Sequence, residues 1–488
     1  MAELIYQSAE SLAKLIRSKA ISSRELLQVF LNQIENVNPK LNAIVTLDIE
    51  CAFRRADELD KLAAKNSFIG QLHGLPITVK DTLQTKNVRT TAGSLHLTDN
   101  YPKQNAQVVQ RLLDEGAILF GKSNTPEFAA DLQTTNKVFG RTNNPWDLSR
   151  TPGGSSGGSA AVVAAGMAAF DIGSDIGGSL RTPAHFCGVY TLKPSYGIVP
   201  SDGLISGLQT PAIPRDISCI GPLTRSASDL ALLTSILAAP SYAQERAWQL
   251  SLPKTQTKTI QEFRVAAWLD DEVFSVDDEV REVMENCIVA LEKEGLRVDR
   301  NAKPDFKLTE AFDVYLRLLA GATSAGMSDD AYARRMELVA NADAAMRGKN
   351  IAFRSTQYAL QTAQELFKAQ QARLQLQQQW QEFYQGFDIL LCPNNIVPAF
   401  SHIETKANFF QNIIVNGKPR EYAEMLVWVG ALAGVAHLPA VSAPIGLSRN
   451  NLPVGIQIIA PYLEDHRAID FAHKLASVVG GFQIPPIS

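Results

Sequence analysis

The stretch RTPGGSSGGSAAVVAAGMAAF, from Arg150 to Phe170, places four glycines and three serines directly ahead of an alanine-rich apolar run. Taken alone, a Gly/Ser stretch is most often a linker or a plain turn. Here it continues into an uncharged segment, which is typical of a helix buried on every side. A disordered linker would not lead into such a segment. The stretch therefore predicts a loop that enters the interior of a folded domain.

The composition is that of an ordinary globular protein, with 488 residues, of which 45% are hydrophobic and 20% charged. There are 46 basic and 50 acidic residues, for a net charge of −4. This balance gives no electrostatic reason to expect nucleic acid or an anionic membrane as a partner. A small or neutral substrate fits the composition better.

Five cysteines are spread along the chain without a CxxC pair. An odd number of scattered cysteines disfavours a disulfide framework and a metal site, and favours a reducing compartment. The seven histidines include no HExxH pattern, so we expect neither a metal nor another cofactor. No signal peptide or membrane-spanning run is recognised, and a cytoplasmic location is expected.

Helical and strand patterns alternate along the chain. GLPITVKD, from Gly74 to Asp81, reads as a short strand ending in charge, and AQVVQRLLDEGAILFGKSN reads as a helix stopped at Gly116 and followed by a strand. FDILLCP, AVSAPIG and LPVGIQIIAP read as central strands, and the apolar spacing near 356–387 predicts one long helix. We therefore predict one α/β domain over residues 1–488, with 254–350 as a variable, substrate-related segment.

Three functional interpretations of the Gly/Ser loop compete. A phosphate-binding P-loop requires Lys and then Ser or Thr after its last glycine, but Gly158 is followed by Ser159 and Ala160. GGSSG formally matches the nucleophile elbow with Ser155 at its centre, although NNPWDLSRTP cannot be the preceding strand. That interpretation, a His-dependent esterase, stays open because a distant histidine could meet Ser155 in the fold. The candidates are His402, His437, His466 and His473.

The third interpretation joins two serine loops and one lysine. GSDIGGSLR places Ser179 after a Gly-Gly pair, and the glycines would let backbone N–H groups converge into an oxyanion hole. Lys80 ends an apolar strand, where burial would favour its neutral amine. Its neighbour Asp81 would point to the opposite face of the strand. This combination indicates nucleophilic acyl transfer without histidine.

Seven motifs in order then resemble the amidase signature family of serine hydrolases, from near Ser8 to about Ala476. The motifs are GLPITVKD, GKSNTPEFA, TNNPWD, TPGGSSGGSAAVVAAG, GSDIGGSLRTPAHFCGVYTLKPSYG, GPLTRSASDLA and LPVGIQIIAPYLED. The resemblance implies a central mixed β-sheet covered by helices on both faces. It also implies a Ser-cisSer-Lys triad, with Ser179 as nucleophile, Ser155 as the bridging serine after a cis peptide, and Lys80 as base.

Further roles are expected around this triad. By the resemblance, the oxyanion would be bound by backbone N–H groups of Ile176, Gly177, Gly178 and Ser179. We expect Asp175 and Arg181 to brace the nucleophile loop, and Ser156 to hydrogen-bond within its loop or to cap the helix. His437 stands where the family pattern has a glycine and is expected to be a packed or hydrogen-bonded residue.

Catalytic subunits of glutamyl-tRNA amidotransferases belong to the same family. This chain departs from their pattern, with EFAADLQ where those subunits usually carry Met-Gly-Ser-Ser after Glu-Phe-Ala, and with IVPSDGLISGLQTPAIPRDISCIGP after KPSYG. The departures predict a free-standing amidase acting on a small-molecule amide, with the catalytic subunit of an amidotransferase as the alternative and a homodimer as one option. Asp131 and Gln133 fall where the resemblance places the acyl pocket, and are predicted substrate contacts.

Overall fold

A mixed β-sheet runs through the middle of the molecule. The computed structural model describes residues 4–208, 214–255, 259–342, 350–404 and 410–487. In these ranges the strands are β1 (Ile44–Leu47), β2 (Pro76–Lys80), β3 (Ile118–Ser123), β4 (Thr135–Asn136), β5 (Gly140–Arg141), β6 (Asp171–Asp175), β7 (Tyr190–Lys193), β8 (Cys219–Thr224), β9 (Val265–Ala267), β10 (Val298–Asp299), β11 (Ile389–Pro393), β12 (Asn412–Val415), β13 (Lys418–Glu421), β14 (Ala440–Leu447) and β15 (Pro453–Ile459).

Eleven of these strands form the central sheet, in the order β1-β3-β2-β6-β8-β7-β14-β15-β11-β9-β10. The pairs β2–β3 and β2–β6 are parallel, whereas β6–β8 is antiparallel, with Asp175 opposite Cys219. Strand β2 is buried at all five positions, which agrees with its apolar sequence. The strands predicted from GLPITVKD, FDILLCP, AVSAPIG and LPVGIQIIAP are all present.

Helices cover both faces of the sheet. They are α1 (Ala9–Arg17), α2 (Ser23–Leu41), α3 (Ile49–Ala64), α4 (Gln107–Asp114), α5 (Gly157–Ala164), α6 (Arg181–Cys187), α7 (Ala227–Leu237), α8 (Asp278–Lys293), α9 (Leu308–Ser324), α10 (Asp329–Ala340), α11 (Ile351–Tyr358), α12 (Ala363–Gly386) and α13 (Asp465–Val479). Helix α2 begins with a capping box between Ser22 and Glu25. The α/β fold predicted from the sequence is confirmed.

Helix α5 follows the Gly/Ser loop and lies in the interior. All eight of its residues are buried, and its small side chains pack against β6 and α6. Gly158 shows why: a Cβ there would lie 2.4 Å from the backbone nitrogen of Asn124. The expectation of a helix buried on every side is confirmed, and the loop before α5 is fixed between the sheet and the rest of the core.

The long helix expected near 356–387 is confirmed as α12, but it starts later than expected. Its capping box lies between Thr362 and Glu365, and the residues up to Tyr358 belong to the separate helix α11. The apolar face of α12 is as predicted, with Ala369, Leu376, Trp380 and Phe383 buried. Segment 254–350 contributes β9, β10, α8, α9 and α10, so it adds strands to the sheet edge as well as helices.

Within the described ranges, no helix combines the length and the apolar character needed to cross a membrane. All five cysteines are free thiols, and four of them are buried.

Candidate active site

Lys80 is the last residue of β2, and its side chain is completely buried at the carboxyl end of the strand. Its Nζ lies 2.7 Å from Ser155 Oγ, 2.9 Å from Ser156 Oγ and 3.1 Å from Ser174 Oγ. Three hydroxyls, two from the loop before α5 and one from strand β6, therefore converge on one amine. The structure brings together the lysine and the first serine loop, as the sequence predicts.

The electrostatic surroundings of Lys80 favour a neutral amine. Burial lowers the pKa of Lys80 to about 7, although the carboxylates of Asp175 and Asp171 act in the opposite direction. Asp81 is not its partner, because that carboxylate accepts hydrogen bonds from the backbone N–H and hydroxyl of Thr91. The structure thus agrees with the expectation that Asp81 does not pair with Lys80. Near neutral pH, Lys80 can accept a proton.

The first serine loop contains Ser155 and Ser156 and leads directly into α5. The peptide bond between Gly154 and Ser155 is cis. Ser156 donates its backbone N–H to the carbonyl oxygen of Ser179 at 3.1 Å, which holds the two serine loops side by side. Its hydroxyl donates to the carbonyl oxygen of Ser174 at 3.2 Å. Ser156 therefore supports the loop, but it does not cap α5 with its side chain.

The second serine loop, between β6 and α6, is organised by one ion pair. Asp175 accepts hydrogen bonds from the backbone of Gly178 at 2.8 Å and of Leu180 at 3.0 Å, and from Arg181 Nη2 at 2.8 Å. Burial alone would raise the pKa of Asp175, but Arg181 and these N–H donors hold it at about 2. Arg181 also donates to the carbonyl oxygen of Val429. Both residues brace the loop, as expected.

The expected set of oxyanion donors needs one correction. The N–H of Gly178 is occupied by Asp175, so in this conformation it cannot donate to a substrate oxygen. Among the described residues, the N–H groups of Ile176, Gly177 and Ser179 have no acceptor. Those three remain the candidate donors. The sequence could not show this, because the difference depends on where the Asp175 carboxylate lies.

Tyr315 of α9 contacts the same loop and was not anticipated from the sequence. Its hydroxyl donates to the carbonyl oxygen of Ile176 at 3.2 Å, and a Cβ on Gly177 would lie 2.7 Å from that hydroxyl. The ring is fully buried, which raises the pKa of Tyr315 and keeps the phenol protonated. Segment 254–350, which contains α9, therefore contacts the second serine loop. Tyr315 and Ile176 are 139 positions apart in the chain, so no short sequence motif could indicate their contact.

The two predicted substrate contacts lie beside Tyr422. The Tyr422 hydroxyl donates to Asp131 Oδ1 at 2.8 Å. The side-chain amide of Gln133 is 2% exposed and pairs with the backbone of Ile403, donating to its oxygen at 3.2 Å and accepting from its nitrogen at 3.0 Å. Gln133 thus ties two loops together in this structure, whereas Asp131 is half-buried next to a buried phenol.

His437 and His185 are hydrogen-bonded to groups other than the two serines. His437 Nε2 lies 3.0 Å from Asp216 Oδ1 and 3.1 Å from an Arg373 nitrogen, and its ring stacks on Tyr196. Both ring nitrogens of His185 face backbone groups of Val397 and Gly455. In the described part of the chain, no histidine is hydrogen-bonded to Ser155 or Ser179, and no group of three or more His, Cys, Asp or Glu residues is arranged to hold a metal ion.

The sequence model of the Amidase family matches residues 25–469. The chain belongs to the amidase family. The resemblance seen in the motifs is confirmed, and so is the prediction of an amidohydrolase that acts on carbon–nitrogen amide bonds.

Several curated relatives that the chain resembles are subunits of glutamyl-tRNA(Gln) amidotransferases. It is 31% identical to a glutamyl-tRNA(Gln) amidotransferase subunit of Sulfurihydrogenibium sp., over 98% of both chains. The corresponding subunit of a Geobacillus species is 33% identical over 94% of both chains. These relatives do not support the expectation of a free-standing amidase over an amidotransferase subunit.

Solved structures of other amidases share the fold. A bacterial aryl acylamidase of the amidase signature family superposes with a TM-score of 0.81 at 25% identity, over 97% of this chain and 96% of that one. A member of a vestigial protein complex, related to the origins of an s-triazine catabolic enzyme, gives a TM-score of 0.81 at 26% identity, over 98% of this chain and 100% of that one.

Proposed function

We propose that the chain cleaves a carboxylic amide through an acyl-enzyme on Ser179, with Ser155 as proton relay and Lys80 as base. The observation that supports this most strongly is the 2.7 Å contact between Lys80 Nζ and Ser155 Oγ. A buried amine with a pKa of about 7 can take a proton from a serine hydroxyl at neutral pH. No surface lysine would do so, because its usual pKa is near 10.4.

The proposed steps conserve every proton. Ser179 Oγ attacks the amide carbonyl, its proton passes to Ser155, and the Ser155 proton passes to Lys80. The carbonyl oxygen becomes an oxyanion near the N–H groups of Ile176, Gly177 and Ser179. When the C–N bond breaks, Ser155 protonates the leaving amine and recovers a proton from Lys80.

Water then attacks the acyl-enzyme by the same relay and releases the carboxylate. An amine in place of water would give acyl transfer. Loss of one oxyanion donor typically costs about 3 kcal/mol of transition-state stabilisation. Each of the N–H groups of Ile176, Gly177 and Ser179 is therefore expected to contribute to the rate.

The curated relatives favour a second candidate setting for this chemistry. In it, the chain is the catalytic subunit of a tRNA-dependent amidotransferase and releases ammonia from an amide donor. The similarity over 98% of the chain to such a subunit supports this role. The sequence departures at EFAADLQ and after KPSYG are what support a free-standing amidase acting on a small-molecule amide.

Two observations separate these settings. An amidotransferase subunit is expected to copurify with partner chains when expressed at natural level from its own genome, and to hydrolyse glutamine weakly without them. A free-standing amidase is expected to purify alone and to turn over aryl or alkyl amides. Full glutamine-dependent amidation of a charged tRNA by the copurified assembly would decide for the subunit.

The catalytic proposal is tested with a fluorophosphonate, which traps activated serines, followed by peptide mapping. We expect the adduct on Ser179, and no adduct in the Ser179→Ala variant. Ser67→Ala, at an exposed position, is the matched control and should label like the wild type. An adduct on Ser155 would restore the elbow interpretation and its esterase function, and no adduct on any serine would refute the proposal.

A further inference from the structure

Asp171, the first residue of β6, is a buried carboxylate that the proposed steps do not use. Its side chain is completely inaccessible, and Thr78 Oγ1 donates to its Oδ2 at 2.5 Å. The hydroxyls of Ser123 and Ser159, 2.8 Å from each other, also stabilise its charge. Among the described residues no arginine or lysine forms a salt bridge with it. Burial of a charge without a paired cation costs free energy, so the presence of this carboxylate calls for a functional explanation.

Strand register places Asp171 close to Lys80. In the parallel pair of β2 and β6, Thr78 is opposite Asp171. Lys80 lies two residues beyond Thr78 and therefore on the same face of β2, about 6–7 Å further along the strand. The Asp171 carboxylate and the Lys80 amine thus lie on the same face of the sheet, separated by one two-residue repeat of the strand.

Helix α5 covers both groups with one row of hydroxyls. Ser156, just before the helix, contacts Lys80, and Ser159, three residues later, contacts the hydroxyl of Ser123 beside Asp171. Residues three apart lie on the same side of a helix. The catalytic loop therefore rests on Lys80 and Asp171 together.

The other charged groups near this face are already compensated. Asp175 is paired with Arg181, and Asp81 with Thr91 and the charge of Lys122. Lys122 also lies near enough to attract Asp171. Asp175 and Asp171 both raise the pKa of Lys80, and Asp175 has the larger effect. Unlike Asp175, Asp171 has no arginine partner among the described residues.

We propose that Asp171 is a positioning residue that acts through Lys80, and that its negative charge sets the pH range in which the lysine can serve as base. The inference rests on the proposed function of Lys80. Burial raises the pKa of Asp171 to about 6, opposed by the Thr78 bond, so the group is ionised at neutral pH. Removing its charge would destabilise the ammonium form and lower the pKa of Lys80.

The test is the rate of fluorophosphonate labelling of Ser179 between pH 5 and pH 9, which needs no knowledge of the natural substrate. For Asp171→Asn we expect the midpoint of the acid limb to fall by about half to one pH unit, with a lower plateau because a weaker base activates the serine less. Asp99→Asn, at an exposed position, should leave the midpoint unchanged.

A purely structural role would lower the rate at every pH without moving the midpoint. A folded Asp171→Asn variant whose midpoint stays within about 0.2 pH units of the wild type therefore overturns the inference. If that variant does not fold, Thr78→Val decides by the same criterion, because loss of its hydrogen bond neutralises Asp171 over a wider pH range. Failure of wild-type Ser179 to label at all would instead refute the proposed function.

Discussion

Lys80 owes its expected reactivity to the match between one amine and three hydroxyls. An ammonium group has three donors and no acceptor, whereas a neutral amine has two donors and one lone pair. Ser156 gives its own proton to the carbonyl oxygen of Ser174 and must therefore accept from Lys80. A neutral amine can also donate to Ser174 and keep its lone pair for Ser155. The three hydroxyls thus suit both forms of the residue. They can accept three hydrogen bonds from the ammonium group, and Ser155 can donate to the lone pair of the neutral amine.

The pH dependence of the reaction is expected to follow the protonation state of Lys80. Because burial holds the pKa of Lys80 at about 7, the amine is protonated and inactive below that pH and becomes a base above it. We expect kcat/KM for an amide substrate to rise with pH through a single ionisation near 7 and then to level off. A profile that stays flat from about pH 5.5 to pH 8.5 would contradict this assignment.

Removal of the amine should abolish most of the activity. We expect Lys80→Met to lower kcat/KM by about 10²–10⁴-fold, the usual contribution of a general base. Lys193→Met is the matched control, since Lys193 of β7 is also buried but donates to the Pro194 carbonyl instead of to the serines. The measurement is steady-state kinetics on folded protein. Equal losses of kcat/KM in both variants would show that activity depends on any buried lysine and not on Lys80 as base.

At the scale of elements, the second serine loop, which carries Ser179, is in contact with a helix from a distant part of the chain. Tyr315 of α9 packs on the loop at Gly177, and the same ring blocks a side chain at Gly430 in the segment Val429–Gly434. Both glycines are thus required by close approach of an aromatic ring. The side chains of α9 and of the second serine loop must therefore be compatible in size.

This compatibility can be tested by a substitution and its rescue. A Cβ at Gly177 would meet the Tyr315 hydroxyl at 2.7 Å, so Gly177→Ala should displace the loop and lower kcat/KM by about 100-fold. Adding Tyr315→Phe removes the clashing oxygen, and we expect it to restore part of the activity. Gly386→Ala is the control, because nothing lies within 4 Å of that position. A double variant no better than Gly177→Ala would mean that the backbone N–H geometry itself requires glycine.

The strands and most helices could be predicted because their apolar patterns are local. Lys80, Ser155 and Ser179 could be proposed because their motifs are short and contiguous. Ser174 and Tyr315 could not, since a hydroxyl or a phenol gains a role only from what the fold places beside it. The apolar spacing from Leu366 onward locates the body of α12 but not its first residue, which the capping box of Thr362 and Glu365 fixes.

At the scale of the whole molecule, stability is concentrated in the sheet and in the helices packed on it. Trp380 of α12 is 1% exposed within the largest apolar cluster, whereas α10 buries none of its residues. Trp380→Ala should therefore lower the free energy of unfolding by about 3–5 kcal/mol. Tyr332→Ala on α10 should change it by less than about 0.5 kcal/mol. Urea denaturation measures both, and equal effects would mean that α10 is covered in solution.

The complete burial of α5 has a consequence for how the enzyme loses its activity. A helix without a solvent-facing side cannot fray by itself, since its neighbours must separate before its backbone amides meet water. Hydrogen–deuterium exchange at Ala160–Ala164 should therefore proceed only through global opening of the molecule. The loop that carries Ser155 and Ser156 would then stay ordered until the protein as a whole unfolds.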